Sequence, residues 1–173
     1  MHRFSARRLA CALLPLLLLS QRPAAPQAKA MESIRQRFLG TWRLAVDENI
    51  SKDGKVTYPD VGPHGLGYLV YAPDGHMCVG LMNPERPKWT EPRNPTDEEK
   101  IQLFDTFYAY CGRYEIREAE HLMLHYPELA STPDYVNSTQ PRPYTFEGDR
   151  LTFSGPETSP QGGTYRITWE KVK

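Results

Sequence analysis

Apolar and polar residues alternate along this chain in short bursts separated by turn residues, and only two stretches break the rhythm. Over residues 40–46, Trp42, Leu44 and Val46 fall on one side of an extended segment. Near the far end, Tyr165, Ile167 and Trp169 alternate with Thr164, Arg166, Thr168 and Glu170. A period of two is the mark of a strand with one buried face. Residues 66–72 and 76–82 are apolar runs joined by Pro73-Asp74-Gly75, where proline presets the first turn angle and glycine accepts the left-handed one. Residues 110–117 and 121–126 form a second hairpin around Ala119-Glu120, and 142–147 and 150–154 a third around Gly148-Asp149.

The exceptions read as helix. Residues 34–39 suit one helical turn leading into the first strand. Thr96-Asp97-Glu98-Glu99 is a capping box, with Thr96 as N-cap and Glu99 reaching back. Ile101, Leu103, Phe104, Phe107 and Tyr108 follow at spacings that predict one buried stripe. The long connections are 84–95, with four prolines and Trp89, and 127–140. There is no βαβ rhythm and no internal repeat. About eight short strands linked mainly by hairpins must either close into a barrel or split into two sheets. Closure removes both edges, and eight strands leave room for one small ligand; local pattern leaves the two-sheet sandwich open.

Composition changes the picture at the N-terminus. Arg3, Arg7 and Arg8 precede an apolar run over 9–19, and a polar stretch ends in Ala28-Lys29-Ala30. That is the layout of a secretory signal peptide over residues 1–30, with the domain in 31–173 and a secreted or periplasmic destination. Five of the 21 basic residues and none of the 21 acidic ones lie in it, so the remainder carries 16 basic against 21 acidic side chains, a formal −5. No basic patch interleaved with aromatics is present, which argues against nucleic acid as a partner. The charge balance is likewise wrong for stable membrane association once the signal is gone. Cys78 and Cys111 form an even pair in an oxidising compartment; a disulfide and two packed thiols are equally compatible with the pattern. The chain alone sets no oligomeric state.

Candidate chemistry concentrates on two strands. In the hairpin at Gly148-Asp149, Glu147 faces Arg150, Phe146 faces Leu151 and Tyr144 faces Phe153, so Arg142, Tyr144, Phe146, Leu151 and Phe153 share a face. That face is otherwise apolar and should point inward. An arginine there costs several kcal/mol unless an anion or hydrogen-bond acceptor meets it. Arg142 therefore reads as a ligand anchor, against a rim arginine reaching water or a structural ion pair. If Ala119-Glu120 is the turn, Tyr114 faces His125 and Ile116 faces Met123, placing His121, Met123 and His125 with them on one face. His125 could then hydrogen-bond a ligand or shuttle a proton; equally, it could be a solvated strand histidine. Tyr68, Tyr110 and Tyr144 supply aromatic lining. His121 and His125 lie some 13 Å apart on a strand, too far for one ion, so no metal and no cofactor are expected. No Gly-x-Ser-x-Gly elbow, His-Glu-x-x-His, P-loop or Rossmann fingerprint occurs, which leans away from an enzyme.

Several of these segments together carry a resemblance. Gly40-Thr41-Trp42 after a helical turn resembles the Gly-x-Trp opening of lipocalins. With Gly65-Leu66-Gly67-Tyr68-Leu69-Val70-Tyr71, Asp74-Gly75-His76-Met77, Tyr110-Cys111-Gly112-Arg113-Tyr114, His125, Gln140-Pro141-Arg142, Gly148-Asp149-Arg150-Leu151 and Trp169, the ordered set is similar to the bacterial and fungal lipocalin-like domain family over residues 38–172. The resemblance implies a mainly β fold: a single up-and-down, eight-stranded antiparallel barrel with one short helix. It implies that Trp42 closes the floor under a basic side chain of the last strand, here Arg166. Cys111 and the proline-rich 84–95 segment depart from the family's usual pattern. Three functions follow as expectations. The first is a barrel binding a small hydrophobic or amphipathic molecule with a polar or acidic group. The second is a minimal isomerase, cyclase or lyase using His125 and Arg142, an option the fungal relatives beside polyketide-processing proteins keep open. The third is a filled barrel making protein contacts through Trp89.

Overall fold

The computed structural model describes residues 33–59, 61–157 and 162–173; the stretch 1–30 that reads as a signal peptide lies outside them. Residues 33–38 form a helical turn, α1. Then come β1 (Gly40–Ile50), β2 (Val56–Thr57), β3 (Leu66–Tyr71), β4 (His76–Met82), α2 (Asp97–Asp105), β5 (Phe107–Arg117), β6 (Leu122–Ala130), β7 (Gln140–Glu147), β8 (Arg150–Pro156) and β9 (Thr164–Lys171). Neighbours in the sequence pair antiparallel from β3 through β9, β1 pairs with β3, and β1 also pairs with β9. That last ladder, from Trp42 opposite Lys171 to Ile50 opposite Thr164, closes an eight-stranded barrel; β2 adds only two residues beside the end of β1. The sandwich alternative is thereby excluded.

Two hairpin registers are those the sequence predicts: Tyr144 opposite Phe153 and Phe146 opposite Leu151 in one, Tyr114 opposite His125 and Ile116 opposite Met123 in the other. The second turn is wider than two residues: a 3₁₀ turn over Glu118–Glu120 ends on His121 in the left-handed region, φ 49°. His121 thus leaves the shared face and sits exposed in the turn.

Two irregularities shape the interior. β1 carries a bulge at Ala45, between the Leu44–Trp169 and Val46–Thr168 pairs. The extra residue resets the alternation. Asp47, not Val46, therefore continues the inward row of Trp42 and Leu44, and it is buried. β5 and β6 slip between Cys111 and Gly112. There a Cβ on Gly112 would lie 2.0 Å from the Tyr126 carbonyl oxygen, so only glycine allows the strands to meet.

The floor is solid. Phe38 from α1 is 0% exposed and makes edge contacts with Tyr71, Tyr144 and Phe146 at ring-centre distances of 5.6, 4.9 and 4.8 Å. The Trp42 indole N–H donates to the Phe38 carbonyl at 2.7 Å. The basic side chain over Trp42 is Lys171, not Arg166: its ammonium sits 4.2 Å from the ring centre. It also donates to the α1 carbonyls of Arg37, at 3.0 Å, and Leu39. Arg166 points outward instead, to Glu48 at 2.6 Å. Period two explains the exchange, because Trp169 is inward and Arg166 has the other parity.

α2 has its capping box, with Glu99 N–H donating to Thr96 Oγ1 and Thr96 N–H to Glu99 Oε2. The expected buried stripe is absent. None of its residues is buried, and Phe107 and Tyr108 belong to β5. Cys78 and Cys111 stand directly opposite on β4 and β5 and form a disulfide on the barrel's outer surface. Since the strands around it are paired on both sides, the Cys78→Ser, Cys111→Ser double variant is expected to fold with the same far-ultraviolet circular dichroism. It should lose about 2–4 kcal/mol of stability in urea unfolding, the usual worth of such a link.

Candidate functional site

Above the floor the barrel is hollow. A cavity of about 370 Å³ opens at the end where β1 finishes and β7 begins; its lining includes Asp47, Asn49, Tyr108, Tyr135, Gln140, Arg142, Glu157, Tyr165 and Ile167. A pit of about 40 Å³ continues it downward among Leu69, Val79, Tyr110, His125, Phe153 and Trp169, with Leu81, Tyr108, Arg142 and Ile167 common to both. The strand alternation puts these residues inside: Arg142 opposite Met123, His125 opposite Gln140 and Tyr114, and Tyr110 opposite Val79.

At the pit His125 is 2% exposed, and both ring nitrogens are taken. The Tyr71 hydroxyl lies 2.6 Å from Nε2 and the Tyr110 hydroxyl 2.6 Å from Nδ1. Burial, and secondarily the charge of Arg142, holds the imidazole well below its ordinary pKa of 6.5, so it is neutral. A neutral ring offers one donor and one acceptor, so one phenol donates to it and the other accepts from it. Tyr71 is pushed well above the ordinary phenol value by burial. Tyr110 is pushed up to about 12 by burial, opposed by the charge of Arg142.

Arg142 is half-buried. Its hydrogen bonds are long ones, 3.4 Å to Gln140 Oε1 and 3.3 Å to the Pro141 carbonyl, and its guanidinium lies 5.6 Å from the Tyr165 ring centre. Among the described residues no ion pair includes it. Burial disfavours its charge, yet the surrounding Tyr110, Tyr165, Tyr135 and Tyr108 raise its pKa above the ordinary arginine value. It stays cationic. Nearby, the Tyr165 hydroxyl and the Trp169 indole N–H are buried without a protein partner. Asn49, its amide turned to donate, reaches Glu157 Oε2 at 2.9 Å at the rim. Two buried polar groups without a partner among the described residues thus stand near the cation, while the carboxylates of Asp47 and Glu157 line the vestibule.

Of the six residues singled out in the sequence, Arg142, His125 and Tyr110 meet around this cavity. Tyr144 and Tyr114 lie lower. Tyr144 is part of the aromatic floor, and the Tyr114 hydroxyl donates to the Ala72 carbonyl at 2.9 Å. Tyr68 is excluded from the lining. It has the outward parity on β3 and is 58% exposed. Residues not anticipated are Tyr108, Tyr135 and Asp47. The alternation of β9 pointed to Tyr165, but Asp47 enters only through the Ala45 bulge, and Tyr135 through a 3₁₀ turn, Pro133–Tyr135, in a stretch that reads as plain loop. Among the described residues no group of three or more His, Cys, Asp and Glu is placed to hold a metal ion.

Residues 39–172 match the family described as lipocalin-like domain. Among solved structures, a redesigned β-barrel aligns with 80% of this chain and 95% of its own at a TM-score of 0.40 and 13% identity. No curated protein matches the sequence.

The buried histidine makes stability depend on acid in a defined direction. An unfolded chain protonates His125 near 6.5 while the folded barrel keeps it neutral, so its contribution is intact above that pH and is lost as pH falls through it. Its share is about 1.4 kcal/mol for each unit below 6.5. Urea unfolding between about pH 6.5 and 5.5 should therefore show roughly that much more loss in the wild type than in His125→Gln. Equal pH dependence in both would place the protonation elsewhere.

Proposed function

The chain belongs to the lipocalin-like domain family, and we propose that its barrel is an exported container for a small, mainly apolar molecule whose anionic or acceptor-rich end docks on Arg142. One observation carries this reading. Arg142 is a half-buried cation that enters no ion pair among the described residues, at the junction of a vestibule and a pit. A carboxylate, phenolate or enolate oxygen would repay the desolvation of the guanidinium. Leu81, Phe153 and Ile167 offer apolar surface to the rest of the molecule. About 370 Å³ lies in the range of small-molecule sites.

A barrel enzyme draws support from the convergence of His125 and Arg142 on one pit. Its acid–base group would be Tyr110, since both His125 nitrogens are already committed to phenols. His125 would then orient Tyr110, and the carboxylates of Asp47 and Glu157 line the vestibule, not the pit where His125 and Arg142 meet. A completely filled barrel is disfavoured by the hollow upper half.

Native mass spectrometry of the protein from its own host should reveal a co-purifying small molecule, lost or much reduced in Arg142→Met. In calorimetric titration, 2-naphthoate should bind the wild type about tenfold or more tighter than Arg142→Met, the worth of one charged hydrogen bond. The neutral 2-naphthamide should not discriminate. Failure of the carboxylate to outcompete the amide would remove the anchor role. Sequencing the N-terminus of exported protein should give a start after Ala30.

A further inference from the structure

The proline-rich loop and α2 build a second concavity outside the barrel. It has a volume of about 550 Å³ and shares no lining residue with the barrel cavity. Its walls include Met82, Arg86, Lys88, Trp89, Arg93 and Leu103. The loop is tied at both ends. Asn83 N–H donates to the Thr106 carbonyl at 2.9 Å, and Glu99 Oε1 accepts from the Thr90 N–H and hydroxyl at 2.7 and 2.8 Å. Glu99 Oε2 accepts from Thr96, so both oxygens of the one acidic side chain in the lining are engaged. Three cations stand against it in a domain that is acidic overall.

Arg86 is the informative one. Its Nη2 rests on the Met82 sulfur at 3.1 Å, its guanidinium lies 5.8 Å from the Phe107 ring centre, and its Nη1 is buried without a partner. Among the described residues no counter-ion meets this guanidinium, and the thioether and phenyl ring repay only part of its desolvation. Arg93 holds a left-handed backbone, φ 66°, which a non-glycine residue adopts at a cost. Trp89 remains 40% exposed on the same wall, and no α2 residue is buried. We propose that this groove is a binding site for a small aromatic anion, stacked on Trp89 with its charge toward Arg86, Lys88 and Arg93. The site is independent of the barrel ligand. Its size suits one drug-sized molecule, and its charge selects the sign.

The probe is 1-anilinonaphthalene-8-sulfonate, added to protein carrying Arg142→Met so that the barrel's anion site is disabled. Saturable binding with energy transfer from tryptophan is expected. Trp89→Phe should lower the transfer, since Trp89 lines the groove and Trp42 and Trp169 do not, and Arg86→Met should weaken binding about tenfold or more. Where Arg86→Met fails to fold, judged by circular dichroism, the Lys88→Gln, Arg93→Gln pair reads the same charge dependence. Binding indifferent to all of these substitutions, or equally tight binding of the uncharged N-phenyl-1-naphthylamine, overturns the proposal. Loss of all probe binding in the Arg142→Met protein does so too, without touching the barrel reading.

Discussion

Closure through the β1–β9 ladder is the constraint on which everything else in this molecule depends. The two strands come from opposite ends of the domain, so the interior is enclosed by contacts between residues far apart in the sequence. β1 serves two neighbours, β3 over its first four residues and β9 over most of its length. A regular strand cannot follow both partners around so tight a cylinder, and the Ala45 bulge supplies the added bend. The same irregularity turns an acidic side chain into the cavity. Structural closure and cavity polarity thus share one residue.

Most of the architecture was legible because short-range rules governed it. Pro73-Asp74-Gly75 and Gly148-Asp149 mark two hairpins, and the register of the second places Arg142 with Tyr144; the pairing of His125 with Tyr114 follows from a turn at Ala119-Glu120, which carries neither glycine nor aspartate. Where the sequence misleads, a long-range contact overrules the local one. The apolar positions of α2 look like a buried stripe, but none of its residues is buried, and the Thr96–Glu99 box caps its first turn. Arg166 looked suited to covering Trp42, but Lys171 has the position at the strand's end from which it reaches both the indole and the α1 carbonyls. Tyr68 looked like lining because it is aromatic; the burial alternation of β3 puts Leu69 and Tyr71 inside instead.

The cavity chemistry follows from dividing the barrel into a solid half and a hollow half. Phe38 and its aromatic neighbours fill the lower part, and Tyr71 and His125 are buried above them. The hydrogen-bonded chain Tyr71–His125–Tyr110 then runs up to the pit that Arg142 also lines, where the guanidinium sits among phenols. Long hydrogen bonds to Gln140 and Pro141 orient the cation without neutralising it. The sequence gives no direct sign of this chain, since its members and Arg142 sit on β3, β5, β6 and β7 and meet only when the sheet curls.

The floor has a geometric corollary. α1 enters there, and the final strand ends there too, with Val172 N–H donating to the Thr41 carbonyl at 2.9 Å. The first and last described elements therefore both meet the pole opposite the cavity mouth. A domain fused directly before α1 or directly after β9 would be attached there, with the barrel's opening facing away from it.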